Sequence, residues 1–161
     1  MLLAGKLYGM AKYWLMKSEP SVFSIDDLAR EEKTHWDGVR NYQARNFMQS
    51  MALKDKVLFY HSNADETGVA GIAEVCREAY PDFSAWDPSD SHFDPKTKKD
   101  APTWMMVDIK FVEKFPRIVT LHEMKDSPEL EGMTVIQKGS RLSVQSVSEE
   151  HFKAVVKMAK G

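Results

Sequence analysis

Cysteine is almost absent from this chain: Cys76 stands alone among 161 residues. A single thiol excludes an internal disulfide and any cysteine-based zinc site, and it fits a reducing compartment. Long apolar runs are missing as well. The longest, "MVDIKFV", is broken by charges, whereas a membrane span needs roughly 18 or more apolar residues. The opening "MLLAGKLYGM" has neither the basic start nor the cleavage site of a secretory signal, and its apolar stretch is short. These absences predict an intracellular protein with no membrane partner, cytoplasmic, or nuclear in a eukaryote. Net positive charge is lacking too, the formal charge being −2. A protein that coats duplex DNA by general attraction relies on many Lys and Arg neutralising phosphates, so any nucleic-acid site here must rest on a few concentrated arginines. The five histidines are not at metal-ligand spacing, and neither metal nor cofactor is expected.

What is present reads as one globular domain. The chain is 43% hydrophobic and 29% charged, which neither disordered nor membrane chains show, and its length suits a single core. "KYWLMK" alternates at period two and predicts a strand ending at "KSEP". Ser24 followed by Asp27, and Thr120 followed by Glu123, have the form of capping boxes and predict two short helices. "VLFYH" and "VAGIAEV", separated by the turn-rich "SNADETG", are expected to pair as strands. The segment between Tyr80 and Pro102 has no usable period and reads as a long surface loop. "TWMMVDIKFVEKF" predicts the longest strand, "SRLSVQSV" a last strand with one polar face, and Ser148 caps a C-terminal helix. At least five short strands with few long helices predict a mostly antiparallel barrel with helical decoration.

One stretch, "WDGVRNYQARNFM" at residues 36–48, is denser in donors and flat rings than a structural helix requires. Ala44, Phe47, Met48 and Met51 gather on one helical face, and Asn41 is placed to cap the helix. First-turn N–H groups beside Arg40 form an anion site, for which phosphate is the natural guest. Trp36 and Tyr42 offer rings for a base, and stacking of this kind is worth roughly 1–3 kcal/mol per ring. The strand ends "KSEP" and "FYHSN", together with "GSRLSVQ", bring further polar groups to a rim. Their convergence with the helix start would enclose a small-ligand pocket. Two other readings stand beside this one. His61, Ser62 and Asp65, or Glu19 with Asp37 acting on a glycosidic bond, point to an enzyme on a nucleoside, although no nucleophile elbow or oxyanion glycine motif is present. A protein-interaction module is the third.

Taken in order, "YWLMKSEP", "WDGVRNYQARNFM", "FYHSN", "GVAGIAEV", "FDPKTKKDAPTW" and "GSRLSVQ" resemble the motifs of the EVE domain family. The resemblance runs from Lys12 to the C-terminus, with residues 1–11 as an N-terminal extension and 12–161 as one domain. It implies an α+β, PUA-like fold: a small, mostly antiparallel β-barrel decorated by short helices, related to the YTH domains that bind methylated adenine in RNA. It also implies a non-catalytic module that binds nucleic acid, DNA or RNA, through a modified base such as a modified cytosine. Carried onto this chain, the ligand-binding positions are Lys17, Ser18 and Glu19; Trp36, Arg40, Asn41, Tyr42 and Arg45; Tyr60, His61 and Ser62; and Arg141 with Ser143. Ser146 departs from the family pattern, which has proline there.

Overall fold

In the computed structural model, which describes residues 12–161, the alternating "YWLMKS" forms strand β1, Tyr13–Ser18. Trp14 and Met16 enter one apolar cluster and Leu15 a second. Because successive side chains of a strand point to opposite faces, β1 runs through a sheet that is covered on both sides. Strand β3, Lys56–His61, repeats the pattern, with Val57 and Phe59 in the first cluster and Leu58 and Tyr60 in the second. The remaining strands are β2 (Lys33–His35), β4 (Gly68–Pro81), β5 (Met105–Thr120) and β6 (Val144–Val147). β5 is the longest, and β3 pairs with β4, as expected. The anticipated N-terminal extension, residues 1–11, lies outside the described residues.

The capping signals act as read. Ser24 and Asp27 close a reciprocal box at helix α1 (Ile25–Glu31), and Thr120 and Glu123 do the same at α3 (Leu121–Lys125). Asn41 accepts from Ala44 N at 2.9 Å to start α2 (Tyr42–Ser50), and Ser148 caps α4 (Glu149–Lys160). Helices α1 and α2 bury Ile25, Leu28, Ala44 and Met48 in the first cluster, while α3 and α4 bury Met124, Ala154, Val155 and Ala159 in the second. No helix among the described residues is long and apolar enough to cross a membrane.

The mixed α+β class stands, but the expected closed barrel does not form. The six strands make one open sheet in the order β2-β5-β4-β3-β1-β6. β2 pairs with β5 and β6 with β1, and these two edge strands do not pair with each other. Helix α2 packs against β4, β5 and β6, covering the face of the first cluster. β1 and β3 are parallel, with Lys17 opposite Tyr60 and Ser18 opposite His61; the other pairs are antiparallel. The last strand also starts later than expected. Arg141, Leu142 and Ser143 precede β6, and Gln145 is buried with its amide bonded to Leu142 O at 2.8 Å.

Three internal ties set how the loops lie. Asp55 is buried and accepts from Trp14 Nε1, Lys12 N and Ala52 N, joining the start of β1 to the turn before β3. Asp82, also buried, accepts from Gly38 N at 2.8 Å, Arg40 Nη1 at 2.9 Å, and both Ser84 N and Ser84 Oγ. Burial works to raise the Asp82 pKa, but the hydrogen bonds from Ser84, Gly38 and Arg40 outweigh it and hold the carboxyl below its ordinary range. Gly38 has φ +84°, a left-handed conformation that favours glycine, and a Cβ there would also press on the His92 ring at 2.7 Å. The third tie is His61, whose Nε2 accepts from Ile25 N at 3.1 Å and thereby anchors the first turn of α1 to the end of β3.

Two outcomes follow from these ties. Asp82→Ala strands Arg40 without its carboxylate and leaves the Gly38 and Ser84 donors unmatched; removing one partner of a buried pair costs about 3–5 kcal/mol. Urea unfolding should show a loss of that size, and Arg40→Ala combined with Asp82→Ala should cost less than the sum of the two single changes. For His61, burial lowers the pKa below the ordinary 6.5. The unfolded chain therefore takes up the proton first as pH falls, so the His61 contribution is complete above pH 6.5 and is lost below it. Unfolding free energies across that range should decline more steeply for the native protein than for His61→Gln.

Candidate functional site

The parallel pairing of β1 with β3 places the ends of both strands side by side, and these ends carry "KSEP" and "YHSN". Ser62 N donates to Ser18 O at 2.9 Å, and Asn63 Nδ2 donates to Glu19 Oε1 at 3.0 Å, so the two rims are laced together. Strand alternation then divides their side chains. Ser18 and His61 project to the face that holds Trp36, and Lys17 and Tyr60 to the other. The single concavity expected for all of them is therefore two neighbouring surfaces that share a strand end.

On the first surface, Trp36 is 9% exposed, with its ring edge-on to Phe59 at 5.6 Å. Phe59 in turn meets His61 at 5.7 Å and Phe23 at 6.5 Å. The Trp36 indole N–H has no partner among the described residues, although its backbone N–H bonds Val107 O at 2.7 Å. Ser18 Oγ donates to Phe23 O at 2.6 Å, which leaves its oxygen able to accept. Since His61 Nε2 accepts from Ile25, the neutral ring carries its proton on Nδ1. The strand ends thus carry the Ser18 hydroxyl, the His61 Nδ1–H and the Glu19 carboxylate, with the Trp36 and Phe59 rings buried on the same face as Ser18 and His61.

The arginine-rich stretch is organised differently from its sequence reading. Arg40 does not stand open beside the helix start: it bonds Asp82, Ser84 Oγ and His92 O, and its guanidinium lies 5.5 Å from the Trp104 ring. Tyr42 is 60% exposed, yet Trp104 stacks on it at 5.0 Å and the Arg45 guanidinium lies over it at 4.9 Å. Arg45 also donates to Thr103 O at 2.9 Å. Arg40, Trp104, Tyr42 and Arg45 thus form a series in which two stacked rings lie between two cations. It clasps the loop after β4 onto the start of α2, and each such contact is worth about 0.5–1 kcal/mol at an exposed site. Asn41 spends its side-chain oxygen on the helix cap.

On the second surface, the Lys17 ammonium lies 5.7 Å from the Tyr60 ring and donates to Ser140 O at 3.3 Å; burial lowers its pKa. Burial also pushes the Tyr60 hydroxyl up to about 12, so it is neutral at physiological pH. Ser143 meets β1 through its carbonyl, which accepts from Lys17 N, and Arg141 is exposed beside it. Sequence reasoning missed Asp82, Trp104 and His92, which hold the clasp, because nothing local marks a loop aspartate as buried. Asp37, Asp90 and His92 bring ligand-type atoms within 4.8 Å of one another. His92 Nδ1 already meets Asp90 at 3.2 Å, so surface hydrogen bonding accounts for that trio.

Comparison with known proteins agrees with this architecture. Human thymocyte nuclear protein 1 is 40% identical over 170 residues, covering 94% of this chain and 76% of that protein. A solved structure of a hypothetical protein from Leishmania major superposes with a TM-score of 0.90 at 52% identity, covering 94% of this chain and 96% of its own. The human THYN1 protein, solved in complex with 5-methylcytosine-containing DNA, superposes with a TM-score of 0.88 at 40% identity, covering 94% and 99% of the two chains. The EVE domain model matches residues 12–158, and the chain belongs to the EVE domain family.

Proposed function

We propose that this domain binds nucleic acid and reads a modified base, with 5-methylcytosine in DNA as the leading ligand, and that it does so without catalysis. The observation that carries this reading is the match, over nearly the full length of both chains, to the human THYN1 protein held on 5-methylcytosine-containing DNA. The base is read at the first surface. Trp36, Ser18, Glu19 and His61 supply there what the edge of a swung-out cytosine requires. The Glu19 carboxylate accepts from the exocyclic amine, as acidic side chains do with cytosine N4. The Trp36 indole N–H, unpaired among the described residues, donates to a ring acceptor. Asn41, Tyr42 and Arg45 lie at the start of α2, where Arg40 fixes the loop after β4. Lys17, Tyr60, Ser62, Arg141 and Ser143 belong to the adjoining strand-end surface. The fixed tautomer of His61 supports a binding role, because the nitrogen that would serve as a base toward Ser62 is already occupied by Ile25 N–H.

Extruding a base costs a few kcal/mol, so edge contacts and ring packing must together offset that cost. Fluorescence anisotropy with oligonucleotides differing only in one 5-methyl group should show tighter binding to the methylated strand. Equal affinity for both would remove methylcytosine as the ligand. Trp36→Phe keeps an aromatic ring but removes the N–H donor together with part of the indole; loss of the hydrogen bond alone is worth about 0.5–1.5 kcal/mol, or roughly twofold to tenfold in affinity. Unchanged affinity, with the fold intact by circular dichroism, would remove that nitrogen from the site.

A further inference from the structure

Beside the second surface runs an open groove of about 640 Å³, lined by Leu121, Lys125 and the segment 135–141. Its charged lining is Lys125, Lys138 and Arg141, all cationic. None of the three makes an ion pair or hydrogen bond among the described residues, whereas Arg117 is spent on Glu123 and Arg40 on Asp82. In a chain of net charge −2, three uncompensated cations around one groove are a local excess of a sign the rest of the molecule lacks.

The backbone of the groove has the same character. Ser140 N donates to Gln137 O at 3.2 Å and closes a turn with Gly139 at φ +76°. A Cβ at Gly139 would meet nothing within 4 Å, so the glycine answers to the turn and leaves its outer side open. The amide N–H groups of Lys138 and Gly139, at the centre of this turn, have no acceptor among the described residues. Consecutive free amides in a turn with one left-handed residue form an anion-binding concavity. The groove is also joined to the strand ends: Lys17 Nζ donates to Ser140 O, and Ser143 O accepts from Lys17 N. Lys17 and Ser18 are adjacent on β1, so an anion in the groove and a base at Trp36 lie on either side of one strand end.

We infer that this groove is a phosphodiester track: Lys125, Lys138, Arg141 and the Lys138–Gly139 amides take the sugar-phosphate backbone flanking the nucleotide whose base is read. The inference rests on the reading of the domain as a modified-base binder, and it divides the work between two surfaces. The base site confers selectivity. The groove contributes affinity that is indifferent to base identity and dependent on salt, since each phosphate neutralised contributes roughly 0.7 (single strand) to 0.9 (duplex) to the slope of log affinity against log salt.

The test is a salt titration of the native protein, the double variant Lys138→Gln with Arg141→Gln, and the control Lys153→Gln, whose lysine is paired with Glu149 outside the groove. Each is measured against a methylated oligonucleotide, its unmethylated twin and oligothymidylate. The double variant is expected to lose about 1.4–1.8 from the slope on all three probes and to keep the native ratio between methylated and unmethylated strands; the control is expected to keep the native slope. A native slope in the double variant overturns the track, as does an equal loss in the control or a collapse of the methylation ratio in the double variant alone. Failure of the underlying reading looks different. There the native protein shows no methylation preference, and a slope on oligothymidylate that drops only in the double variant still supports the track.

Discussion

The buried Asp82 carboxylate is the contact on which the arrangement around α2 depends. It gathers donors from Gly38, Arg40 and Ser84, so one side chain sets the path of the segment leading into α2 and the start of the loop after β4. With Arg40 fixed, Trp104 has a cation to lie against, Tyr42 has Trp104 to stack on, and Arg45 has Tyr42 beneath it. Such a chain of contacts is cooperative, because each member orders the next. A charge placed under a loop costs desolvation, and the hydrogen bonds from the three residues it links are what recover that cost. The density of arginine and aromatic residues at positions 36–48 thus has a largely internal explanation: Arg40, Tyr42 and Arg45 hold a long irregular loop in one place.

The sheet does the complementary work. β1 and β3 lie near its middle, buried on both faces, and their ends are rigid because Ser18 and Ser62 are bonded through the backbone. Sites on strand ends are held more accurately than sites on loops. Alternation then sends neighbouring residues to different tasks. Ser18 and His61 face the aromatic side, while Lys17 and Tyr60 face the side where the basic groove runs. On the proposed reading, two chemistries, one for a flat heterocycle and one for an anion, are obtained from adjacent positions without either intruding on the other.

Much of this was legible in the sequence where the cause is local. The boxes at Ser24 and Thr120, the cap at Asn41 and the strand at Met105–Thr120 each depend on residues within a few positions of one another, and the structure reproduces them. The family resemblance carried the α+β class and the membership, while the closed barrel it implied did not form. What could not be read was nonlocal. Three-residue β2 has no period to detect, and whether β2 and β6 meet depends on the packing of the whole sheet. Arg40 looks the same in sequence whether it faces solvent or a buried carboxylate more than forty positions away. Lys125 and Lys138 draw attention only once the fold sets them on the same groove as Arg141.

Parallel strands cannot be joined by a tight turn, and the pairing of β1 with β3 therefore requires the whole stretch 19–55 to loop out and return. The entropy of closing such a loop rises slowly with length, yet contacts between distant segments slow folding. The two rims come into register only after that excursion closes, so no fragment ending before β3 possesses the surface at all. A ligand gripped across both strand ends binds the closed form and not the open chain. By mass action it makes the 19–55 excursion harder to undo, so occupancy and the integrity of the crossover rise and fall together.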